Sequence, residues 1–326
     1  MNLKFGVRPA EGNDRFDEAL EQSVFAESLG FDSVWFGEHY CSGDYWWPSP
    51  LLVLAGIASH TKKIKLGTNI LIGPLYHPVY LAHSLALLDQ MSRGRAVCGL
   101  GAGYDQKEFK AFGISMRERL GRLREMIPLM RRLWQETSVS FEGKYFPQDG
   151  FEPCLHSWEK REIPVWVGAW GDQVLKMVRS LDCVWVPGPT ASLETLLERY
   201  KYFSEDCPSQ TGSEPKPLVL VREVIIDETE QAAWDRAVEL LYPKYETYVK
   251  RGHPFVQYNN RREFEEFARE RFIVGSPQSC LEQLQSYSSA LPIQEFILKV
   301  FCIGMSNEET KAKMKILAEK VLPKFK

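Results

Sequence analysis

From Lys4 to Ile303, short apolar, β-branched runs alternate with stretches of helical pattern, and this alternation excludes most fold classes. Eight runs read as strands: Lys4–Arg8, Phe31–Glu38, Ile64–Ile72, Arg95–Leu100, Ile163–Gly168, Cys183–Pro187, Leu218–Ile226 and Glu295–Ile303. Parallel strands covered on both faces should be continuously apolar, as Val165-Trp166-Val167 and Phe296-Ile297-Leu298 are. A doubly wound sheet more often uses about five or six strands. Eight units with no Pro/Ser-rich linker between them therefore predict one α/β domain over residues 1–326, a (β/α)8 TIM barrel.

The segments between the runs carry helix signals. Ser49-Pro50 and His77-Pro78 each place a capping residue before a first-turn proline, and Gly30 reads as a helix stop. Pro128 should kink or interrupt the helical stretch Leu120–Trp134. Two connections are too long for plain links, Thr137–Glu162 after strand four and Tyr242–Ser276 after strand seven. Both are expected to be long inserted loops, acting as lids.

Charge and cysteine usage narrow the partners. A net charge of -3 offers no basic footprint for nucleic acid. No apolar run approaches the roughly 18 residues of a membrane span. The start runs straight into a strand-like segment, so no signal peptide is expected. Seven scattered cysteines without CxxC spacing argue against a disulfide framework or a metal site and fit a cytoplasmic protein.

In barrels of this class, ligands sit at the carboxyl ends of the strands. There the sequence places Arg8, Glu38-His39-Tyr40, Asn69, Gly101-Ala102-Gly103-Tyr104, Gly168-Ala169-Trp170-Gly171-Asp172, Arg222 and Lys299. His39 would serve as acid, base or oxyanion partner near neutral pH. Strand-end position alone leaves this reading level with that of a histidine orienting a loop. Glu38 is read as structural. The turn at Gly101 resembles a dinucleotide loop only superficially, lacking the third glycine. Gly168–Asp172 precedes a helix, whose first amides are a ready site for a cofactor phosphate. Tyr45, Trp46 and Trp47 would line an apolar substrate pocket or bury themselves against the next helix. His77 fixes a helix start and lies near the expected pocket, whereas His60 and His83 read as structural. Arg222 and Lys299 would need carboxylate partners such as Glu223 if buried, or would face outward.

The stretch Ala26-Glu27-Ser28-Leu29-Gly30-Phe31-Asp32-Ser33-Val34-Trp35-Phe36-Gly37-Glu38-His39 resembles the first block of luciferase-like monooxygenases. The resemblance continues, in order, through Leu66-Gly67-Thr68, Tyr76-His77-Pro78, Leu87–Arg95 and Gly103–Phe109 with Phe112-Gly113. It resumes at Ile163–Gly168 and is thin thereafter. It implies His39 as the active-site histidine and a reduced flavin at the carboxyl end of the barrel. By the same resemblance Asn69, Gly101, Tyr104, Gly168, Ala169 and Trp170 would bind the cofactor, while the aromatic loop Tyr45, Trp46 and Trp47, with His77 nearby, is expected to hold the substrate. Two departures weaken the cofactor-tail assignments. Gly101 stands where the luciferase catalytic chain has an arginine, and Ala169-Trp170 replaces the family's glycine pair.

The family divides between enzymes using reduced FMN with oxygen and enzymes using the deazaflavin F420 for hydride transfer. Glu38-His39 and Asp89-Gln90-Met91-Ser92 favour a monooxygenase that acts on a small apolar organic substrate with reduced FMN delivered by a separate flavin reductase. F420-linked hydride transfer is the rival reading, supported by the Gly101-Ala102-Gly103-Tyr104 loop, and a non-catalytic flavin-binding partner subunit is a third. The resemblance also implies a homodimer.

Overall fold

The computed structural model describes residues 3–12, 14–41, 47–205, 216–250 and 256–325. Its strands are β1 (Lys4–Arg8), β2 (Ser33–Phe36), β3 (Lys65–Thr68), β4 (Leu71–Ile72), β5 (Ala96–Gly101), β6 (Val139–Phe141), β7 (Gln148–Phe151), β8 (Val165–Gly168), β9 (Val184–Val186), β10 (Leu218–Ile226), β11 (Ile273–Gly275) and β12 (Ile293–Lys299). Its α-helices are α1 (Phe16–Ser28), α2 (Pro50–His60), α3 (Pro78–Ser92), α4 (Gln106–Ala111), α5 (Arg119–Gln135), α6 (Asp172–Ser180), α7 (Leu193–Glu205), α8 (Glu230–Lys250), α9 (Arg261–Arg269), α10 (Pro277–Ala290) and α11 (Asn307–Ile316). The eight strands β1, β2, β3, β5, β8, β9, β10 and β12 succeed one another as βα units, the (β/α)8 TIM-barrel class read from the sequence.

The described residues divide into two compact units. One comprises residues 11–27 and 33–185. Here β2, β3, β5 and β8 pair in parallel, with Val34 opposite Leu66 and Leu100 opposite Val167. The helix signals hold. Pro78 occupies the first turn of α3, His77 caps it by accepting from the Val79 amide, and the helix closes at left-handed Arg93. Ser49 takes the cap position of α2 without a side-chain hydrogen bond. Pro128 does not interrupt its helix, because α5 runs unbroken from Arg119 to Gln135. The stretch after Thr137 is not a plain loop: β6 and β7 form an antiparallel hairpin within it.

Two buried charges explain the Leu87–Arg95 block as architecture. Asp89 accepts from the amides of Ala96 and Trp158 and pairs with Arg161. Arg95 spreads its guanidinium over the carbonyls of Ala58, Thr61, Ile64 and Ser92. Each buried charge is thus matched by several polar partners, as low-dielectric surroundings require. This block holds helix ends to strands, and its side chains give no reason to prefer one cofactor over another.

The other unit comprises residues 1–10, 28–32 and 186–326. Its sheet runs β1, β12, β10, β11, all parallel, with Phe5 opposite Phe296 and Val221 opposite Ile297. The stretch after Tyr242, expected as a loop, is largely regular. α8 continues through Pro243 to Lys250, and α9 and β11 follow. Tyr245, Tyr258, Phe264, Phe267 and Phe272 form its apolar core with Trp234 and Leu241. That aromatic content, which reads as loop chemistry in sequence, is packing. Arg222 is wholly buried, and among the described residues its hydrogen-bond partners are carbonyls rather than carboxylates. It donates to the carbonyls of Pro189, Val221 and Ala191 and lies 4.7 Å from the centre of the Tyr287 ring. Lys299 instead pairs with Glu223.

Candidate functional site

β2 ends at Phe36, and the chain then carries Glu38, His39 and Tyr40 past the strand. Their polar side chains find partners on two later segments. Nδ1 of His39 lies 3.0 Å from Oε1 of Glu108, and the Tyr40 amide donates to the same oxygen at 2.7 Å. A carboxylate accepts, so Nδ1 carries a proton, and Nε2 is the ring nitrogen turned away from Glu108. The Tyr104 hydroxyl lies 3.4 Å from Nε2, its ring edge-on to the imidazole.

Glu108 sits on α4, whose cap is Asp105, accepting from the Lys107 amide. Asp105 three residues before Glu108 has the form of a capping box, yet Glu108 turns to His39 instead. Burial pushes its carboxyl up. Hydrogen bonds from His39, Tyr40 and Cys41, with the nearby imidazole, outweigh that and hold it below the usual carboxylate range. The imidazole therefore has a fixed tautomer and an anionic anchor. Sequence reasoning left Glu108 without a role, and the Asp-x-x-Glu spacing disguised it as a helix signal.

Glu38 does different work. Its Oε1 accepts from the hydroxyls of Tyr40 and Tyr76, and its Oε2 from the Ile72 amide at 2.7 Å. Burial raises its carboxyl above the usual range despite these three donors, and the negative charge of Glu108 adds to the effect. Burial and Glu38 in turn push both tyrosine hydroxyls well above their ordinary value. Ile72, Leu75 and Phe109 pack beneath Tyr40 and Tyr76. Glu38 is thus the pin of a buried polar cluster, in keeping with a structural reading.

Asn69 is buried just past β3, its amide donating to the Phe36 carbonyl at 2.7 Å, and the Asn69–Ile70 peptide is cis. Gly101 and Gly168 owe their lack of a side chain to the next residue. A Cβ at Gly101 would stand 2.3 Å from Cδ1 of Ile70, and one at Gly168 2.4 Å from the same atom. The glycines make room for Ile70, an apolar side chain laid over the ends of β5 and β8.

Ala169 is buried, with its carbonyl accepting from the Trp185 indole at 2.9 Å, and Trp170 is half-buried. Gly171 caps α6 with no side-chain hydrogen bond and open space around the position of its missing Cβ. Tyr104 is 63% exposed. Trp47 is buried edge-on against Phe36. Tyr45 and Trp46 lie outside the described residues. His77 is exposed at the start of α3, where its ring meets Phe146. Burial and the Arg122 cation lower its pKa. The structure thus joins His39 to Tyr104, and gives His77 a separate setting.

A family model described as luciferase-like monooxygenase matches residues 2–294. The chain is 26% identical over 335 residues to the oxygenase component of flavin-dependent trigonelline monooxygenase from Acinetobacter baylyi, covering 95% of this chain and 90% of that one. It is 33% identical over 181 residues to an F420-dependent glucose-6-phosphate dehydrogenase from Kineococcus radiotolerans, a match that spans 53% of each. The monooxygenase RslO1 from Streptomyces bottropensis shares the fold, with a TM-score of 0.86 over 99% of this chain and 100% of its own at 23% identity. The chain belongs to the luciferase-like monooxygenase family of oxidoreductases.

Proposed function

We propose that the chain is the oxygenase component of a two-component monooxygenase, working with reduced FMN and dioxygen on a small apolar organic substrate. The observation that carries this reading is the imidazole of His39, held through Nδ1 by buried Glu108, with Tyr104 on the Nε2 side. A non-catalytic subunit has no evident use for such an anchored histidine. FMN is favoured over F420 by coverage, since the likeness to a flavin-dependent oxygenase component runs the length of the chain and the F420 match spans about half.

The residues fit a flavin. Ile70 offers an apolar surface beside Gly101 and Gly168, next to Asn69 in the chain, and together with Tyr104, Ala169 and Trp170 these residues would hold the ring and tail. The amino-terminal turn of α6, which begins after Gly171, supplies amide dipoles that favour a phosphate. When bound, a reduced flavin supplies the two electrons for oxygen activation. His39 accepts or returns a proton at Nε2, and Glu108 orients the ring. A separate reductase delivers the reduced flavin.

The enzyme is cytosolic and homodimeric in this reading. The six described cysteines are free, as a reducing compartment keeps them. No helix among the described residues is long and apolar enough to cross a membrane. Tyr80, Leu87 and Met91 are exposed along α3 at spacings that put them on one stripe, and Leu52 on neighbouring α2 is 74% exposed. The test is single-turnover oxidation with pre-reduced FMN. His39→Ala should slow product formation by about 10²–10⁴-fold. An undiminished rate would remove His39 from the chemistry.

A further inference from the structure

Both nitrogens of the His39 ring face residues of one short segment. Oε1 of Glu108 lies at Nδ1, and the Tyr104 hydroxyl lies 3.4 Å from Nε2. The chain around Tyr104 is fixed on both sides. Gly103 has φ +72°, and a Cβ there would stand 2.7 Å from Ile72 and from Phe109, so only glycine fits the turn. Asp105 then caps α4 by accepting from the Lys107 amide at 2.8 Å. Tyr104 is therefore placed by a packed turn and a helix cap, not by burial of its own ring.

Exposure rises in steps along this line. The Glu108 side chain is 1% exposed and that of His39 12%, whereas Tyr104 as a whole residue is 63% exposed. A molecule arriving from solvent meets the phenol before the imidazole. Packing does not require a hydroxyl at that point, since phenylalanine would make the same edge-on contact with the imidazole. The hydroxyl adds one property: it can donate to a neutral Nε2 or accept from a protonated one. The pair thus stays hydrogen-bonded on both sides of a proton transfer. A separation of 3.4 Å is long, as catalytic contacts often are before a ligand closes the site.

We propose that Tyr104 is the proton relay of His39, an inference that rests on the proton-carrying role given to His39 above. A proton taken up by the phenol oxygen, from a bound reactant or from water in the free chain, is matched by release of that oxygen's own proton to Nε2. The Glu108 carboxylate at Nδ1 holds the imidazolium that forms, and the reverse path returns the proton. The phenol oxygen carries one proton before and after, so no net charge builds on Tyr104. The three side chains act in series: Glu108 orients, His39 stores the proton and Tyr104 meets the reactant.

The test is the rate at which the His39 ring proton exchanges with water, measured by NMR at pH 7 on the cofactor-free full-length chain carrying isotope-labelled histidine. Tyr104→Phe keeps the ring and removes only the hydroxyl. A relay makes exchange at His39 slower in this variant, by about ten-fold or more. A phenol that merely covers or packs against the imidazole leaves exchange unchanged or makes it faster. His83, whose Nδ1 lies 2.7 Å from the Val79 carbonyl, is the internal reference and should exchange alike in both proteins. Slower exchange at His39 with His83 unchanged is the expected result, and equal or faster exchange at His39 would overturn the proposal. No flavin is present, so failure of reduced FMN to bind would strike the cofactor reading and leave this result standing.

Discussion

Nδ1 of His39 and Oε1 of Glu108 are 3.0 Å apart although 69 positions separate them in the chain. Glu108 owes its lowered pKa partly to that imidazole. A carboxyl depressed in the folded state contributes stability that is present above its unfolded value, about 4.3, and is lost as pH falls through the folded value. His39→Ala should raise the Glu108 pKa and move this loss to higher pH. Urea unfolding of both proteins across pH 3–6 checks it, and superimposable pH profiles would count against the pairing.

Glu38 carries the opposite sign. Its carboxyl is raised by burial, so its contribution is fully present below its unfolded value and is lost as pH rises through the folded one. Tyr76→Phe removes a donor that favours the ionised form. The variant should be less stable at pH 7 by about 1–3 kcal/mol, with the deficit shrinking as Glu38 is protonated. Denaturant midpoints of both proteins followed from pH 8 down to pH 3 give the comparison, and a deficit that stays constant over that range would contradict the assignment.

The glycines of β5 and β8 should separate into two kinds. A Cβ at Gly99 would stand 1.9 Å from the Thr68 carbonyl oxygen, a backbone atom, whereas those at Gly101 and Gly168 meet only the end of the Ile70 side chain. Gly99→Ala should prevent folding or cost more than about 3 kcal/mol, beyond the usual range of single substitutions. Gly168→Ala should cost about 1–2 kcal/mol from overpacking, with part recovered by adding Ile70→Val. Thermal unfolding of the three variants tests this, and a stable Gly99→Ala protein would refute it.

The exposed stripe on α3 makes its own prediction. Leu87→Asp places a charge at a site 53% exposed in the single chain, where a monomer would tolerate it within about 0.5 kcal/mol. If α3 lies in a dimer interface, sedimentation velocity should show the variant as monomer where the unaltered chain is dimer. Two identical sedimentation coefficients would remove α3 from the interface.

The strands were legible because fully buried parallel strands leave continuous apolar runs, and β10 coincides with the run Leu218–Ile226. The segment after Tyr242 was not, because its prolines and aromatics carry the same letters whether they line a loop or pack a helix pair. Pro243 sits inside α8. His39 stood out from its place after a buried strand. Glu108 did not, since its carboxylate acts across the fold while its local spacing resembles a helix cap. Gly101 and Gly168 read in sequence as cofactor contacts, whereas the group that crowds them in the fold is Ile70, a neighbour that no local pattern names.

The central claim is a reduced-flavin site built around His39, and anaerobic titration with reduced FMN and, separately, with reduced F420 tests it most directly. The account predicts saturable binding of reduced FMN, weaker binding of reduced F420, and rapid oxygen consumption once air is admitted. Selective binding of reduced F420 with no reaction toward oxygen would contradict the monooxygenase reading.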